Sequence, residues 1–221
     1  MDGGCSGVWL LSRPTGGAAG DVDGQPLTQL LTIDGGSWTL RTLLLIRHTA
    51  VCDSVRGRCY GQSDVPLRAA YRQDIDSAIE DADLRFPFAR IYSSPLTRCR
   101  LLAEKIGSGL KLPVGYDDRL KERDFGDWEL QTWDDIHAAT GNAMDGLIDA
   151  PETFAPSGGE TTRQFAQRVL AWHAELPHEG RFLVVTHGGP IAALRGSLAG
   201  VPVHDWPQLT PPMGHAVRID G

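Results

Sequence analysis

Two apolar segments of strand length each end in a histidine. Residues 42–46 (Thr-Leu-Leu-Leu-Ile) lead into Arg47-His48, and residues 181–186 lead into His187, which Gly188 and Gly189 follow. Such runs are typical of strands buried on both faces, and open parallel sheets place ligand sites at the carboxyl ends of their strands. One such histidine alone is more often a satisfied core residue, but two of them favour a shared site. We therefore expect His48 and His187 to meet at one sheet edge, with the amide of Gly188 able to approach an anion.

A second arginine is placed by a strand and the helix after it. Residues 88–95 read as a strand leading into a turn, and residues 96–106 read as a helix with Ser94 as candidate cap and Pro95 near its first position. This puts Arg98 in the first helical turn, where anions bind. Arg100 points elsewhere around the helix, so we expect it to pair with a surface carboxylate.

A candidate acid lies in residues 118–129, which alternate acidic and aromatic side chains around Gly126. Aromatic neighbours can hold a carboxyl group in a partly apolar wall, where its protonated form is favoured. Glu122 is our candidate for this role. The spacing alone does not separate it from Asp124, Asp127 or Glu129.

Two arginines, two histidines and a helix start suit a tetrahedral dianion, because arginine's rigid fork matches phosphate oxygens. Nearby cations lower a histidine's pKa and keep it nucleophilic. His48 is then able to attack phosphorus, while Glu122 protonates the leaving alcohol and later activates water. Arg47, Arg98 and His187 would supply the charge neutralisation that a metal supplies elsewhere. We expect no metal and no cofactor.

Composition limits the other possibilities. The 221 residues carry 21 basic and 28 acidic side chains, a net charge of -7, and no basic run, so a nucleic-acid partner is not expected. No apolar segment has membrane-spanning length, and no signal peptide is legible, which predicts a cytoplasmic protein without membrane contact. The four cysteines lack the spacing of a zinc site or a disulfide framework. The sequence gives no indication of oligomeric state.

Strands alternate with helices after residue 40, which predicts an α/β fold: a three-layer α/β/α sandwich around a mostly parallel central sheet. The predicted helices cover residues 69–82, 96–106, 161–175 and 190–198, and a last strand covers 216–219. Residues 1–40 are rich in glycine and poor in apolar side chains, so we interpret them as a flexible extension of a domain at 41–221. Residues 52–67, with Tyr60 and Gln62, and residues 128–157 are expected to form the outer pocket.

Four motifs together resemble the histidine phosphatase family, in its phosphoglycerate mutase-like branch. They are Leu-Ile-Arg-His at 45–48, Ser-Ser-Pro-Leu-Thr-Arg at 93–98, Leu-Lys-Glu at 120–122 with Phe-Gly-Asp-Trp at 125–128, and Val-Thr-His-Gly-Gly at 185–189. The resemblance covers about residues 41–221. It implies that His48 is the phosphorylated nucleophile, that Glu122 is the proton donor, and that Arg47, Arg98 and His187 bind phosphate. Two departures are Thr49, where the family usually has glycine, and Gly214-His215, where relatives often carry asparagine.

Within this family, residues 61–67 and 122–129 resemble the α-ribazole phosphatases of cobalamin biosynthesis. The segment between Trp128 and Gly158 lacks the longer insertion of the cofactor-dependent mutases, which favours a phosphatase acting on a small phosphomonoester. The alternatives are a phosphoglycerate mutase, a broad-specificity phosphatase, and a sensor that keeps the pocket without turnover. The outer pocket encodes no readable ligand shape.

Overall fold

The computed structural model describes residues 32–33, 36–37 and 40–221. Within these ranges the strands are β1 (Thr32–Ile33), β2 (Gly36–Ser37), β3 (Arg41–Arg47), β4 (Arg90–Ser93), β5 (Val114–Tyr116), β6 (Gly180–Thr186) and β7 (Ala216–Asp220). The α-helices are α1 (Tyr71–Asp81), α2 (Thr97–Leu110), α3 (Trp133–Thr140), α4 (Gly146–Asp149), α5 (Thr162–Ala174) and α6 (Gly188–Ala199). The flexible extension predicted for residues 1–40 lies largely outside the described residues and stays a prediction.

A five-stranded sheet with the order β5-β4-β6-β3-β7 forms the centre of the fold. The first four strands run parallel, and β7 pairs antiparallel with β3 at one edge. β1 and β2 form a separate antiparallel pair. The mostly parallel sheet predicted from the sequence is confirmed.

Helices cover both faces of the sheet. Because successive side chains of a strand point to opposite faces, one strand contributes to the buried clusters on both sides. Leu43 and Leu45 of β3 belong to one buried cluster with residues of α5 and α6. Ile46 of the same strand belongs to a second cluster with residues of α1 and α2. A sheet buried on both sides needs apolar residues at nearly every position, which explains the uninterrupted apolar runs. The three-layer α/β/α sandwich is therefore confirmed.

The start of α2 differs from its prediction. The helix begins at Thr97, and its N-cap residue is Leu96, whose side chain makes no capping hydrogen bond. The prediction of Ser94 as the cap is wrong. Instead, Asp64 in the loop after β3 accepts from the Thr97 amide (3.0 Å) and the Thr97 hydroxyl (2.6 Å). A carboxylate at a helix amino terminus stabilises the helix. Asp64 lies 33 residues before Thr97, so the local sequence around the helix start does not indicate that it is the capping residue.

The other predicted helices are found with shifted ends. α5 begins after Thr161, which forms a capping box with Gln164, and its predicted inward residues Phe165, Val169 and Trp172 are buried. In the described part of the chain, no helix has the length and apolar character needed to cross a membrane. The predicted cytoplasmic location stays a prediction.

Candidate active site

The two strand-terminal histidines meet, as the sequence predicts. β3 and β6 are parallel neighbours in a register that pairs Arg47 with Thr186, so the histidines follow paired residues. The ring centroids of His48 and His187 lie 5.2 Å apart. Their exposed fractions are 2% and 0%. The carboxyl ends of two buried strands therefore hold both imidazoles at one point.

A backbone carbonyl fixes the tautomer of His48. The Nδ1 atom lies 2.7 Å from the carbonyl oxygen of Thr49. Because a carbonyl only accepts hydrogen bonds, Nδ1 carries the proton and Nε2 carries the lone pair. His48 also lines the main cavity of the site. The ring is thus oriented as a nucleophile.

The pKa of His48 is lowered to about 3. Burial is the largest cause, the charge of Arg98 is the next, and the hydrogen bond to the Thr49 carbonyl opposes them. The sequence predicted a lowered pKa from the cations, but desolvation contributes more. The imidazole is therefore neutral throughout the physiological pH range.

Thr49 is accommodated without strain although the family usually has glycine at this position. Among the described non-glycine residues, only Lys111 and Leu130 have a positive φ, so Thr49 keeps an ordinary backbone conformation. Gly214 supports the same turn, because its amide lies 3.1 Å from the carbonyl oxygens of both Arg47 and His48. The two departures from the family pattern leave the position of His48 intact.

Arg47 has a buried donor without an acceptor. Its Nη1 atom donates to the Pro211 carbonyl at 2.8 Å. Its Nε atom is buried and has no hydrogen-bond partner among the described residues. A Cβ atom at Gly188 would lie 3.2 Å from both Nε and Cζ of Arg47, so the guanidinium lies against this glycine. An unpaired buried donor is costly, which fits a site that receives an anion.

Arg98 is fully buried and is held by three acceptors. Its Nη1 donates to the Ser63 carbonyl (2.8 Å), its Nη2 to the Gly61 carbonyl (2.5 Å), and its Nε to Nδ1 of His187 (3.1 Å). Its guanidinium also lies 5.2 Å from the centre of the Tyr60 ring. Arg98 therefore joins the loop after β3 to the second histidine. Arg100 pairs with Glu104, as predicted.

His187 has partners for both ring nitrogens. Because Arg98 donates to Nδ1, the proton is on Nε2, which donates to the Ser94 hydroxyl at 2.8 Å. The pKa of His187 lies well below its usual value because of burial first, and then because of Arg98 and His48. The Cys99 sulfur lies 3.4 Å from Nε2. His187 is thus a neutral, oriented group behind His48.

The glycines after His187 form the first turn of a helix rather than a separate loop. α6 begins at Gly188, with His187 as its N-cap residue. The amide of Gly189 donates to Oε2 of Glu122 at 3.2 Å, so the group bound at this helix start is the carboxyl of the candidate acid itself. A Cβ atom at Gly189 would lie 2.1 Å from Oε1 of Glu122, so this close approach requires glycine. Phosphate binding by Gly188 stays a prediction.

The four acidic candidates occupy different places. Glu122 lines the cavity with His48 and accepts from the amides of Arg123 (2.9 Å) and Gly189. Asp124 accepts from the Gly126 amide within its own turn. Asp127 is exposed, and Glu129 accepts from the loop after β3. Position in the cavity therefore favours Glu122.

The cavity has a volume of about 440 Å³ and two unlike parts. Its polar end contains Arg47, His48, Tyr60 and Glu122. Its wall is mostly apolar and is formed by Phe125, Trp133, Met144, Leu147, Ile148, Phe165, Ala192, Val203, Trp206 and Pro207. Arg58, Arg123, Thr162, Gly189 and Thr210 complete the lining. Tyr60 and part of the segment 128–157 line this cavity, whereas Gln62, Arg98, His187 and Gly188 are not among the lining residues, and the outer-pocket role of Tyr60 and Gln62 stays a prediction.

No sequence pattern predicts that Val203 and Trp206 line the cavity. They belong to a 3₁₀ segment, Val203–Leu209, that follows α6. Pro202 before the segment and Pro207 within it indicate irregular structure. The composition does not indicate where the segment packs. Only the fold shows that it lines the cavity together with α4.

Comparison with known proteins agrees with this geometry. Residues 43–220 match the histidine phosphatase superfamily, branch 1. A glucosyl-3-phosphoglycerate phosphatase of Mycobacterium tuberculosis is 36% identical over 181 residues, which cover 76% of this chain and 80% of the relative. A Salmonella choleraesuis protein named as a probable phosphoglycerate mutase, GpmB, is 30% identical over 161 residues, covering 72% and 74%.

Solved structures show the same fold. The α-ribazole phosphatase of Shigella flexneri has a TM-score of 0.71 at 27% identity, covering 81% of this chain and 90% of the other. The family match at residues 43–220 spans all four motifs. The chain therefore belongs to the histidine phosphatase superfamily and is a phosphatase.

Proposed function

We propose that this protein is a metal-independent phosphomonoesterase that acts through a phosphohistidine at His48. The observation that carries the proposal is the state of His48. Its Nδ1 proton is bound to the Thr49 carbonyl, and the ring stands in the cavity that also contains Arg47 and Glu122. An imidazole held in this way presents a lone pair on Nε2 to a substrate and remains neutral at physiological pH.

In the first step, Nε2 of His48 attacks the phosphorus atom. The N–P bond forms as the P–O bond to the alcohol breaks, and protonated Glu122 gives its proton to the departing oxygen. The unpaired Nε of Arg47 donates to a phosphoryl oxygen. Arg98 and His187 lie outside the cavity lining, on the protein side of His48. They stabilise the charge that develops on the phosphoryl group.

In the second step, the Glu122 carboxylate takes a proton from water. The resulting hydroxide attacks phosphorus, the N–P bond breaks, and the lone pair returns to Nε2 of His48. Inorganic phosphate leaves, and both side chains are back in their starting states. Arginine side chains carry the charge neutralisation in both steps, so the proposal requires no metal ion.

For the substrate, we propose α-ribazole phosphate or a related cobalamin precursor. The support is the apolar wall, which includes Trp133, Leu147 and Trp206 and suits a flat aromatic group such as benzimidazole. The likeness to an α-ribazole phosphatase points the same way.

A second candidate is glucosyl-3-phosphoglycerate. The support is the 36% identity to a phosphatase named for that compound, together with Arg58 and Arg123 in the cavity lining. Arginine side chains suit the carboxylate of a glycerate group. Two candidates with such different alcohol groups can be separated by kinetics.

The reaction class is tested with p-nitrophenyl phosphate in the presence of EDTA. We expect hydrolysis to continue in EDTA and to be lost in His48→Ala. Activity that survives His48→Ala would refute the nucleophile, and activity that EDTA removes would refute metal independence.

The substrate is tested by comparing kcat/KM for α-ribazole phosphate, adenosylcobalamin phosphate, glucosyl-3-phosphoglycerate and 3-phosphoglycerate. We expect the highest value for a cobalamin precursor. Similar values for all esters would indicate a broad-specificity phosphatase, and isomerisation of 3-phosphoglycerate would indicate a mutase. Binding without turnover of any ester would indicate a sensor.

A further inference from the structure

Glu129 is bound by the loop after β3 rather than by a cation of its own segment. Its carboxylate accepts from the Gln62 amide (2.8 Å), the Ser63 amide (2.7 Å) and the Ser63 hydroxyl (2.5 Å). The Phe125 amide is a fourth donor at 3.3 Å. Hydrogen bonds to an ionised carboxylate are stronger than those between neutral groups. The Glu129 side chain therefore joins the loop at residues 62–63 to its own segment at residues 125–129.

The backbone is shaped to allow this contact. Gly61 has a φ of +33°, and a Cβ atom there would lie 2.2 Å from Oε1 of Glu129. On the other side, Leu130 has a φ of +68°, which is uncommon for a residue with a side chain. The Leu130 carbonyl accepts from Nη1 of Arg58 at 2.8 Å. Backbone of this kind persists only where the surroundings hold it.

The same loop holds Arg98. The carbonyls of Gly61 and Ser63 accept from the two terminal nitrogens of its guanidinium. Glu129 therefore binds the loop through its amides, and Arg98 binds the loop through its carbonyls, within the same three residues. Any shift of residues 61–63 therefore changes the orientation of the Arg98 guanidinium group.

We propose that Glu129 is a positioning residue for Arg98 and acts through the backbone of residues 61–63. This inference rests on the proposed function, in which Arg98 stabilises the phosphoryl group. Electrostatic stabilisation of a transition state requires that the donors be fixed before the reaction begins. Glu129 therefore differs in role from Glu122, although both belong to one acidic segment: Glu122 exchanges protons and Glu129 fixes a guanidinium.

The test uses Glu129→Gln, which keeps the shape of the side chain but replaces one carboxylate oxygen by an NH₂ group. This NH₂ group cannot accept hydrogen bonds from the loop amides. We expect kcat/KM for p-nitrophenyl phosphate to fall about 10- to 100-fold, since small displacements of a positioned group cost that much. The inhibition constant of vanadate, which imitates the transferring phosphoryl group, should rise in parallel. Glu175→Gln is the matched control: Glu175 is 67% exposed and pairs with Arg119, so both quantities should stay at wild-type values.

A double-substitution experiment separates this role from a general structural one. Arg98→Lys keeps the charge but loses the fork. If Glu129 acts through Arg98, adding Glu129→Gln to Arg98→Lys should cost much less than it costs the wild-type protein. Losses that multiply fully, or unchanged vanadate inhibition in Glu129→Gln, would overturn the proposal. Unchanged vanadate inhibition in Arg98→Lys would instead contradict the proposed function.

A milder variant covers the case in which Glu129→Gln does not fold. Ser63→Ala removes one donor to the carboxylate and leaves the loop carbonyls in place. We expect a loss of about two- to tenfold in kcat/KM, in line with one hydrogen bond, and a matching rise in the vanadate inhibition constant. Wild-type values for both quantities in Ser63→Ala would overturn the proposal.

Discussion

The two parts of the cavity are built in opposite ways. At the polar end, His48 and the two residues that support it from outside the cavity lining, His187 and Arg98, are at most 2% exposed, and each has fixed hydrogen-bond partners. The outer wall is supported by a small cluster with Cys59, Trp128 and Ile136 as its buried members. Ile148 of this wall is 36% exposed.

The difference follows from the elements that supply the residues. Arg47 and His48 of the polar end lie at the carboxyl end of a buried strand, where backbone pairing leaves little freedom. Most of the wall comes from short helices and 3₁₀ segments between residues 125 and 148 and between 203 and 207, and only Phe165 and Ala192 of the wall belong to the longer helices α5 and α6. The fold therefore fixes the phosphoryl chemistry and leaves the alcohol site open to variation. Substitutions at the polar end should act through the phosphoryl group and the proton that the leaving group needs, whereas substitutions in the wall should discriminate among substrates by the shape of the alcohol.

The largest effect that sharpens this comparison is expected for Glu122→Gln. Loss of a general acid typically costs 10²- to 10⁴-fold, so kcat/KM for an alkyl ester such as glycerol 3-phosphate should fall by roughly that factor. The loss for p-nitrophenyl phosphate should be much smaller, because nitrophenolate leaves without a proton. Equal losses for both esters would contradict the assignment of Glu122 as the acid.

A smaller effect is expected for Gly189→Ala. The added Cβ would lie 2.1 Å from Oε1 of Glu122 and 3.0 Å from the Phe165 ring, so the acid must move. We expect kcat/KM for an alkyl ester to fall about 10- to 100-fold. Gly109→Ala is the control, because nothing lies within 4 Å of its Cβ position in α2. If both variants keep full activity, the position of Glu122 does not depend on this helix start.

The two buried histidines should also make stability depend on pH. The pKa of His48 is about 3 in the folded protein, and that of His187 is also far below 6.5, because both are buried. The unfolded chain therefore binds more protons below about pH 6.5, and the free energy of unfolding should decrease as the pH falls from there toward 3. Each histidine contributes a slope of about 1.4 kcal/mol per pH unit well below pH 6.5.

Urea denaturation between pH 7 and 5 measures this slope. His48→Gln should flatten it by one histidine's share, whereas Ile148→Ala in the outer wall should leave it unchanged. An identical slope in His48→Gln would show that His48 is protonated in the folded state.

The smallest effect is expected in the wall. Ile148→Ala should reduce kcat/KM for an aromatic ester such as 1-naphthyl phosphate about three- to tenfold, in line with the loss of a few apolar contacts. The value for glycerol 3-phosphate should stay the same. A uniform loss for both esters would break the division between the two parts of the cavity.

The same division explains what the sequence predicts and what it does not. His48, His187 and Arg98 follow directly from apolar strands and a helix start, so local patterns locate them. Their meeting follows from the rule that parallel strands place their carboxyl ends together. Contacts that depend on distant parts of the chain leave no such pattern.

Three features illustrate contacts of this kind. Asp64 caps a helix that starts 33 residues later. Local spacing wrongly predicts Ser94 as the cap of that helix. Glu129 resembles three other acidic candidates in the sequence, and only its partners in the loop distinguish it. Trp206 reaches the cavity from an irregular segment after α6. Side chains that work through another segment of the chain become visible only in the folded structure.

The proposed mechanism depends above all on which residue carries the phosphoryl group, and this residue can be identified directly. Glu122→Gln should still accept a phosphoryl group from p-nitrophenyl phosphate, since the good leaving group needs no acid, but should release it slowly for lack of a base. We predict that quenching this reaction in alkali traps a stoichiometric, acid-labile phosphate on His48, located by mass spectrometry and absent when His48→Ala is added. A phosphate on any other residue, or steady turnover without a trapped phosphoenzyme, would contradict the account.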